Sequence, residues 1–301
     1  DPPSGSGRLM SLALSPGGQS FALAPEEARL DPRDFARVAA IVDREARIAL
    51  QPTKATLVFS RLSRRLREQG LVSFGDYISL VESDPVERAA MVEALTTNHA
   101  HFFREGHHFD HFKQSVLGEL QARARAGHPV RLWSAGCSSG EEVYSLIMCM
   151  LGTSRPEARW TIDGDVKVLA TDLSSRVVAA ARRAVYPETT VKPIPEEYRR
   201  LWLREEGADF AVVDQARDLV TARELNLFGE WPMRQQYDVI FCRNVMIYFD
   251  DNATSELIAR FSRLLRPGGY LYIGHSERLI GPGANVLTNC GQTIYRKQEA
   301  N

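Results

Sequence analysis

Long apolar runs are missing from this chain. No stretch approaches the roughly 18 consecutive apolar residues that a membrane span needs, and none has the charged, apolar, small-residue layout of a signal peptide, so membrane insertion is not expected. Cysteine is scarce too. Cys137, Cys149, Cys242 and Cys290 form no Cys-x-x-Cys pair and no zinc spacing, which excludes a disulfide scaffold and predicts a reduced, cytoplasmic chain. Net charge is nearly absent: 37 Lys and Arg against 38 Asp and Glu give −1. That balance excludes a chain-wide electrostatic grip on nucleic acid. What remains is 301 residues, 44% hydrophobic and 25% charged, long enough for one large domain or two modest ones with a core.

Periodicity divides the chain. Residues 1–28 are rich in Gly, Pro, Ser and Ala and read as a flexible tail. Asp31 can cap a helix with Pro32 at its first position, and Phe35, Val38, Ile41 and Val42 then share one face. Helical patterns continue at 52–69, ended by Gly70, and at 74–83 and 85–96. Residues 29–97 are therefore expected to form a small all-α domain, and 98–128 a linker and junction. Beyond 129 the apolar runs 130–134, 166–171, 237–242 and 270–274 read as buried parallel strands, with helices at 141–151, 174–184 and 252–265. This alternation predicts a doubly wound, Rossmann-like α/β sheet over 129–301. A proline-rich stretch with short strands at 210–213 and 219–221 interrupts it, predicting a small β-subdomain inserted at 187–218.

Two positions point to a ligand. The segment Arg131-Leu-Trp-Ser-Ala-Gly-Cys-Ser-Ser-Gly-Glu-Glu142 reads as a strand, a small-residue loop and a helix start. Gly136 and Gly140 permit close backbone approach, but the Gly-x-Gly-x-x-Gly dinucleotide fingerprint is absent. Glu141 and Glu142 would repel a pyrophosphate and suit an ammonium or sulfonium. Alone, such a loop is also compatible with a plain strand-to-helix turn. Asp172, 36 residues beyond Gly136, ends the next strand, where an acid can accept hydrogen bonds from two ribose hydroxyls. It could equally cap the helix that begins near Ser174. Together they favour S-adenosylmethionine (SAM) over NAD, and an NAD-dependent oxidoreductase is disfavoured. At Phe241-Cys-Arg-Asn-Val-Met-Ile-Tyr-Phe249 the next strand leaves the sheet without the Asp/Asn-Pro-Pro-aromatic loop of nucleic-acid amino-methyltransferases, so a base nitrogen is not the expected acceptor.

With these motifs and Thr96-Thr-Asn-His-Ala-His-Phe-Phe-Arg-Glu-Gly-His-His108 in order, and Gly274-His-Ser-Glu277 after them, the chain resembles the chemotaxis receptor methyltransferases, the CheR family, from about residue 30 to 297. The resemblance implies a helical domain before a SAM-binding α/β domain with a small β-subdomain. It also implies methyl transfer to glutamate side chains on receptor cytoplasmic helices, leaving S-adenosylhomocysteine. By motif position Asn98, Ala100, Arg104, Gly136, Glu142, Asp172, Asn226, Leu227, Arg243 and Asn244 would form the cofactor site. Arg104 and Tyr248 would face the reacting centre. Ala100 departs from the family's usual Thr and lacks its hydroxyl. No metal is expected, although His99, His101, His107, His108 and His111 crowd together and His107 and His111 have helical ligand spacing.

A glutamate carboxylate is already ionised near neutrality, its reference pKa being about 4.3, so this chemistry needs no general base. Arg104 is then an orienting clamp and Tyr248 a hydrogen-bonding positioner. The segment 44–67 carries Arg44, Arg47, Lys54, Arg61, Arg64, Arg65 and Arg67 against Glu45 alone. It is either a solvated face or a docking face for an acidic receptor helix, with Arg61, Arg64 and Arg65 as the gripping residues. The stretch Arg204-Glu-Glu-Gly-Ala-Asp-Phe210 lacks the Gly-x-Gly by which some family members hold a receptor C-terminal peptide, so no such tether is expected. A monomer is expected. The alternatives are a SAM-dependent methyltransferase of another protein or small molecule, and a SAM-binding scaffold without turnover.

Overall fold

The computed structural model describes residues 30–96 and 100–299. The expected tail and Asn98 and His99 lie outside the described residues. Four helices come first: α1 (Pro32–Ala46), α2 (Ala55–Glu68), α3 (Phe74–Ser83) and α4 (Pro85–Leu95). Their starts are written in the chain. Asp31 accepts from the Arg33 and Asp34 amides, Ser73 from Asp76 and Asp84 from Val86, satisfying first-turn donors that have no helical partner. Val38, Val42, Val58, Leu62, Ile78 and Met91 close a core between them. Glu87, nearly fully buried, sits under this bundle and accepts from Arg65, Gln69 and Tyr77. A buried carboxylate is tolerated only when it is so surrounded.

The junction is more helical than a linker. α5 (Gly106–His111) runs through a π-helical turn at Phe112–Val116 into α6 (Leu117–Arg125). The alternating half follows: β1 (Val130–Ala135), α7 (Glu141–Leu151), α8 (Trp160–Asp163), β2 (Val166–Asp172) and α9 (Ser175–Arg183). Next come β3 (Val185–Pro187), α10 (Glu188–Val191), α11 (Glu196–Trp202), β4 (Leu203–Glu206), β5 (Asp209–Val212), α12 (Asp214–Arg217) and β6 (Val220–Glu224). β7 (Tyr237–Cys242), α13 (Asp251–Leu264), β8 (Leu265–Ile273), β9 (Leu287–Gly291) and β10 (Ile294–Lys297) complete the chain.

Seven strands form the main sheet in the order β6-β2-β1-β7-β8-β10-β9. The first five are mutually parallel, and β10 and β9 close the edge in antiparallel fashion. Successive residues of a strand face opposite sides: Leu132, Val239 and Phe241 join the core under α6 and α7, whereas Trp133, Ile240 and Cys242 join the one under α13. β3, β5 and β4 make a separate antiparallel sheet. The subdomain therefore starts at Val185. The strand expected at 219–221 does not belong to it but is β6, paired in parallel with β2 at the edge of the main sheet. No helix among the described residues is long and apolar enough to cross a membrane.

Strand order reverses between β1 and β7, because the chain winds outward through β2 and β6 before returning to β1's other side. Ligands of open α/β sheets bind beyond the carboxyl ends of strands at such a point.

Candidate functional site at the carboxyl edge of the sheet

At that point a cavity of about 300 Å³ opens. Ala100, Arg104, Gly136, Glu142, Asp172, Asn226, Leu227, Arg243, Asn244 and Tyr248 all line it. Every described residue expected at the cofactor site or the reacting centre is thus brought to one cavity. The basic trio is not. Arg61 donates to the carbonyls of Ala94, Leu95 and Thr96 and so ties α2 to the end of α4. Arg65 is paired with Glu87 and Glu68, and Arg64, the most exposed at 79%, pairs with Glu68. The face is less positive than its sequence window suggests, because Glu68 and Glu87 enter from outside that window.

The loop after β1 is fastened by Asp172. Its Oδ2 accepts from the Ser138 amide at 2.9 Å and its Oδ1 from the Ser174 amide at 3.0 Å. Ser174, not Asp172, caps α9, accepting from the Val177 amide. Burial raises the Asp172 pKa against these N–H bonds. Gly136 has φ +79°, and a Cβ there would collide with Val245 Cγ2, so glycine is what lets the loops after β1 and β7 meet.

Arg243 is the hub of the floor. Its Nε donates to Glu142 Oε2 at 2.8 Å and its Nη1 to the Arg104 carbonyl at 2.7 Å. Nη1 also reaches His108 Nδ1 at 2.9 Å. Guanidinium only donates, so Nδ1 accepts and the imidazole proton sits on Nε2, facing Thr293 Oγ1 and the Gln292 carbonyl. Burial first, and the Arg243 charge after it, push the His108 pKa to about 3, so this imidazole is neutral. Glu105 responds oppositely: burial raises its pKa, but the His275 hydrogen bond and the Arg243 charge outweigh burial and hold it low. Among the described residues Glu105, His107 and His108 bring ligand atoms within 4.8 Å of one another. His108 is already engaged there, and the guanidinium 3.9 Å from Glu105 opposes a cation. His107 and His111 do not converge: one faces the Gln292 carbonyl, the other the Tyr272 hydroxyl.

Sequence reasoning missed the wall supplied by the helical domain. Ala46 and Ile48 line the cavity. Ile48 bridges Phe249, the Ala49 amide donates to the Tyr248 carbonyl at 2.8 Å, and Asn226 Nδ2 donates to the Glu45 carbonyl at 2.7 Å. Tyr248 and Phe249 pack against the core of the four helices. The apolar, non-helical residues 48–50 were the available signal.

The lining fits SAM. Glu142 accepts from Ser134 Oγ and Arg243, leaving a lone pair on each oxygen for a cation. Ser138 Oγ is buried with no hydrogen-bond partner among the described residues, a polar group awaiting one. Leu173, Leu225, Leu227 and Phe228 give the cavity an apolar section suited to a purine. A doubly wound sheet whose carboxyl edge presents acids in place of a phosphate-binding fingerprint defines a SAM-dependent methyltransferase.

Residues 98–296 match the family model described as CheR methyltransferase, SAM binding domain, and residues 33–96 match CheR methyltransferase, all-alpha domain. The chain is 44% identical over 258 residues to a probable chemotaxis protein methyltransferase of Rhizobium etli, covering 84% of this chain and 95% of that protein. It is 40% identical over 268 residues to chemotaxis protein methyltransferase 2 of Pseudomonas aeruginosa, covering 87% and 92%. The chemotaxis protein methyltransferase of Escherichia coli is 38% identical over 292 residues, covering 93% and 96%. The chain belongs to the CheR methyltransferase family.

Replacing Asp172 with Ala removes the acceptor that faces the cavity and frees the Ser138 amide. SAM binding should weaken by about 1.5–3 kcal/mol, the range for hydrogen bonds to a charged group. Isothermal titration calorimetry checks this, and unchanged affinity would remove Asp172 from the cofactor site.

Proposed function

We propose that this chain transfers a methyl group from SAM to glutamate side-chain carboxylates of chemotaxis receptors in the cytoplasm, forming methyl esters. The observation that carries this is the single cavity that has Glu142 and Asp172 on its sheet side and Arg104 and Tyr248 among its remaining walls, in a chain whose relatives are named chemotaxis protein methyltransferases. When bound, SAM supplies a methyl group activated by its sulfonium. The protein's task is positional. Glu142 and Asp172 orient the cationic and ribose parts, with Asn226, Leu227, Arg243 and Asn244 completing the walls. Arg104 draws the acceptor carboxylate by charge, and the Tyr248 hydroxyl fixes one of its oxygens. The apolar wall from the helical domain excludes water, which strengthens every interaction inside. No residue has to take a proton, because the acceptor arrives ionised.

Receptor docking falls to the basic helical face. Arg61 and Arg65 hold the domain together, so the exposed Lys54 and Arg64, the latter in a surface pair with Glu68, are the residues assigned to steer an acidic helix. The hairpin between β4 and β5 turns at Gly207 without a second glycine, which supports recognition without a C-terminal tether.

Labelled SAM, this protein and a receptor cytoplasmic fragment should give a base-labile label on the receptor, as a methyl ester does. Tyr248→Phe should lower kcat, by up to about 10²-fold for a misplaced acceptor, with SAM affinity retained. No label on any receptor fragment contradicts the proposal, and a wild-type kcat removes Tyr248 from the reacting centre. Lys54→Glu with Arg64→Glu should raise KM for receptor without changing SAM affinity, and wild-type binding should weaken with salt. An unchanged KM would place the docking face elsewhere.

A further inference from the structure

We propose that Glu277 is a positioning residue of this site: its carboxylate fills a nest of backbone N–H groups and thereby fixes the loop that carries Arg243, Asn244 and Tyr248. The proposal rests on the methyl-transfer reading of the cavity for its kinetic consequence, though not for its geometry. Glu277 does not line the cavity. It is 8% exposed. Four backbone amides converge on it. Oε1 accepts from Val245 at 2.8 Å and Met246 at 2.7 Å, and Oε2 from Asn244 at 3.0 Å and Gly274 at 2.5 Å.

The convergence is built by local backbone conformation. Asn244 has φ +59°, in the left-handed region that asparagine tolerates better than most residues, and Val245 follows in the right-handed region. Left-handed and right-handed residues in succession turn consecutive N–H groups toward one point, which makes an anion-binding concavity. Left empty, those donors would have no partner in a buried place. Gly274 brings the end of β8 close enough to deliver the acid: a Cβ there would stand 2.6 Å from Asn244 Nδ2 and 2.8 Å from its amide nitrogen. A second tie reinforces the first, since Glu105 Oε1 accepts from Asn244 Nδ2 at 3.4 Å and meets His275 Nδ1 at 3.0 Å. The loop is thus pinned from behind while its front faces the cavity.

Glu277→Gln keeps the shape but sets an NH₂ group against two of the four donors. Amide hydrogen exchange at Asn244, Val245 and Met246, measured without cofactor or receptor, should accelerate, while exchange in α7 and β1 stays as in the wild type. With receptor, kcat should fall by about 10²-fold, the cost of a displaced reacting group, and by more than SAM affinity falls. Glu277→Asp, which keeps the charge, should recover part of kcat and covers the case in which the amide variant does not fold. Acetate, a free carboxylate, should partly restore Glu277→Ala, and chloride at the same ionic strength should not. Wild-type loop exchange and wild-type kcat in Glu277→Gln would overturn the proposal, as would a loss of protection spread evenly over the chain. If the wild type itself methylates no receptor, the methyl-transfer reading fails, and loop exchange still decides whether Glu277 pins the loop.

Discussion

The site depends on one buried cation. The Arg243 guanidinium, its side chain only 2% exposed, leaves the end of β7 and ties it to α7 and to the junction, both far from it in sequence. It pairs with Glu142 on the first turn of α7, holds the carbonyl of Arg104 in the junction, and donates to His108 on α5. It also lies over the rings of Phe109 and Phe241. A buried charge of this kind is expensive unless every donor finds a partner. That requirement selects the surroundings: a carboxylate opposite, a neutral imidazole with its lone pair turned inward, and a carbonyl held by a left-handed residue, Glu105, next in the chain. Non-glycine residues with positive φ gather here, at Phe103, Glu105, Ser138 and Asn244. Such conformations persist where the surrounding bonds over-determine them.

From that anchor the division of labour between the two domains follows. The α/β domain supplies Glu142, Asp172 and Asn244 to the cavity but does not enclose it. Part of the remaining wall comes from Ala46 and Ile48 at and just past the end of α1, where Ile48 bridges Phe249 and the Ala49 amide donates to the Tyr248 carbonyl. Asn226 and Glu93 fasten the same interface, Asn226 to the Glu45 carbonyl and Glu93 to Ser174 and Arg176. The helical domain is therefore part of the cavity as well as a surface for a partner.

Much of this was legible beforehand, for physical reasons that differ by element. β1, β2 and β7 lie inside the sheet and are mostly buried, so they appear as apolar runs interrupted only by single residues such as Arg131, Lys167 and Asp238. α7 begins after a glycine and ends before one, and its bounds follow. Gly136, Asp172 and Arg243 sit at strand ends, where local pattern and topology coincide, whereas Ala100, Arg104, Asn226, Leu227 and Tyr248 were legible only through the family resemblance. Elsewhere the signal failed. β6 is an edge strand reading Val-Thr-Ala-Arg-Glu, with one buried residue, and nothing local says which sheet it joins. β9 and β10 are short and were not read at all. The arginines of α2 show the hardest limit. Helical spacing gives the arc they occupy, but the partners of Arg61 at the end of α4 and the buried partner of Arg65, Glu87, lie more than 20 residues away, and only the folded chain reveals that they are committed.

The Arg243–Glu142 pair is formed in the protein without ligand and holds the site together. Urea unfolding of the protein without SAM, for the wild type, Arg243→Met, Glu142→Gln and the double variant, tests this most directly. Removing either partner alone should cost about 3–5 kcal/mol, because the other charge is left buried and unpaired. The double variant should recover a large part of that loss. Single losses that simply add, within about 0.5 kcal/mol as independent sites do, would show that the two residues do not act as a pair and would contradict the account.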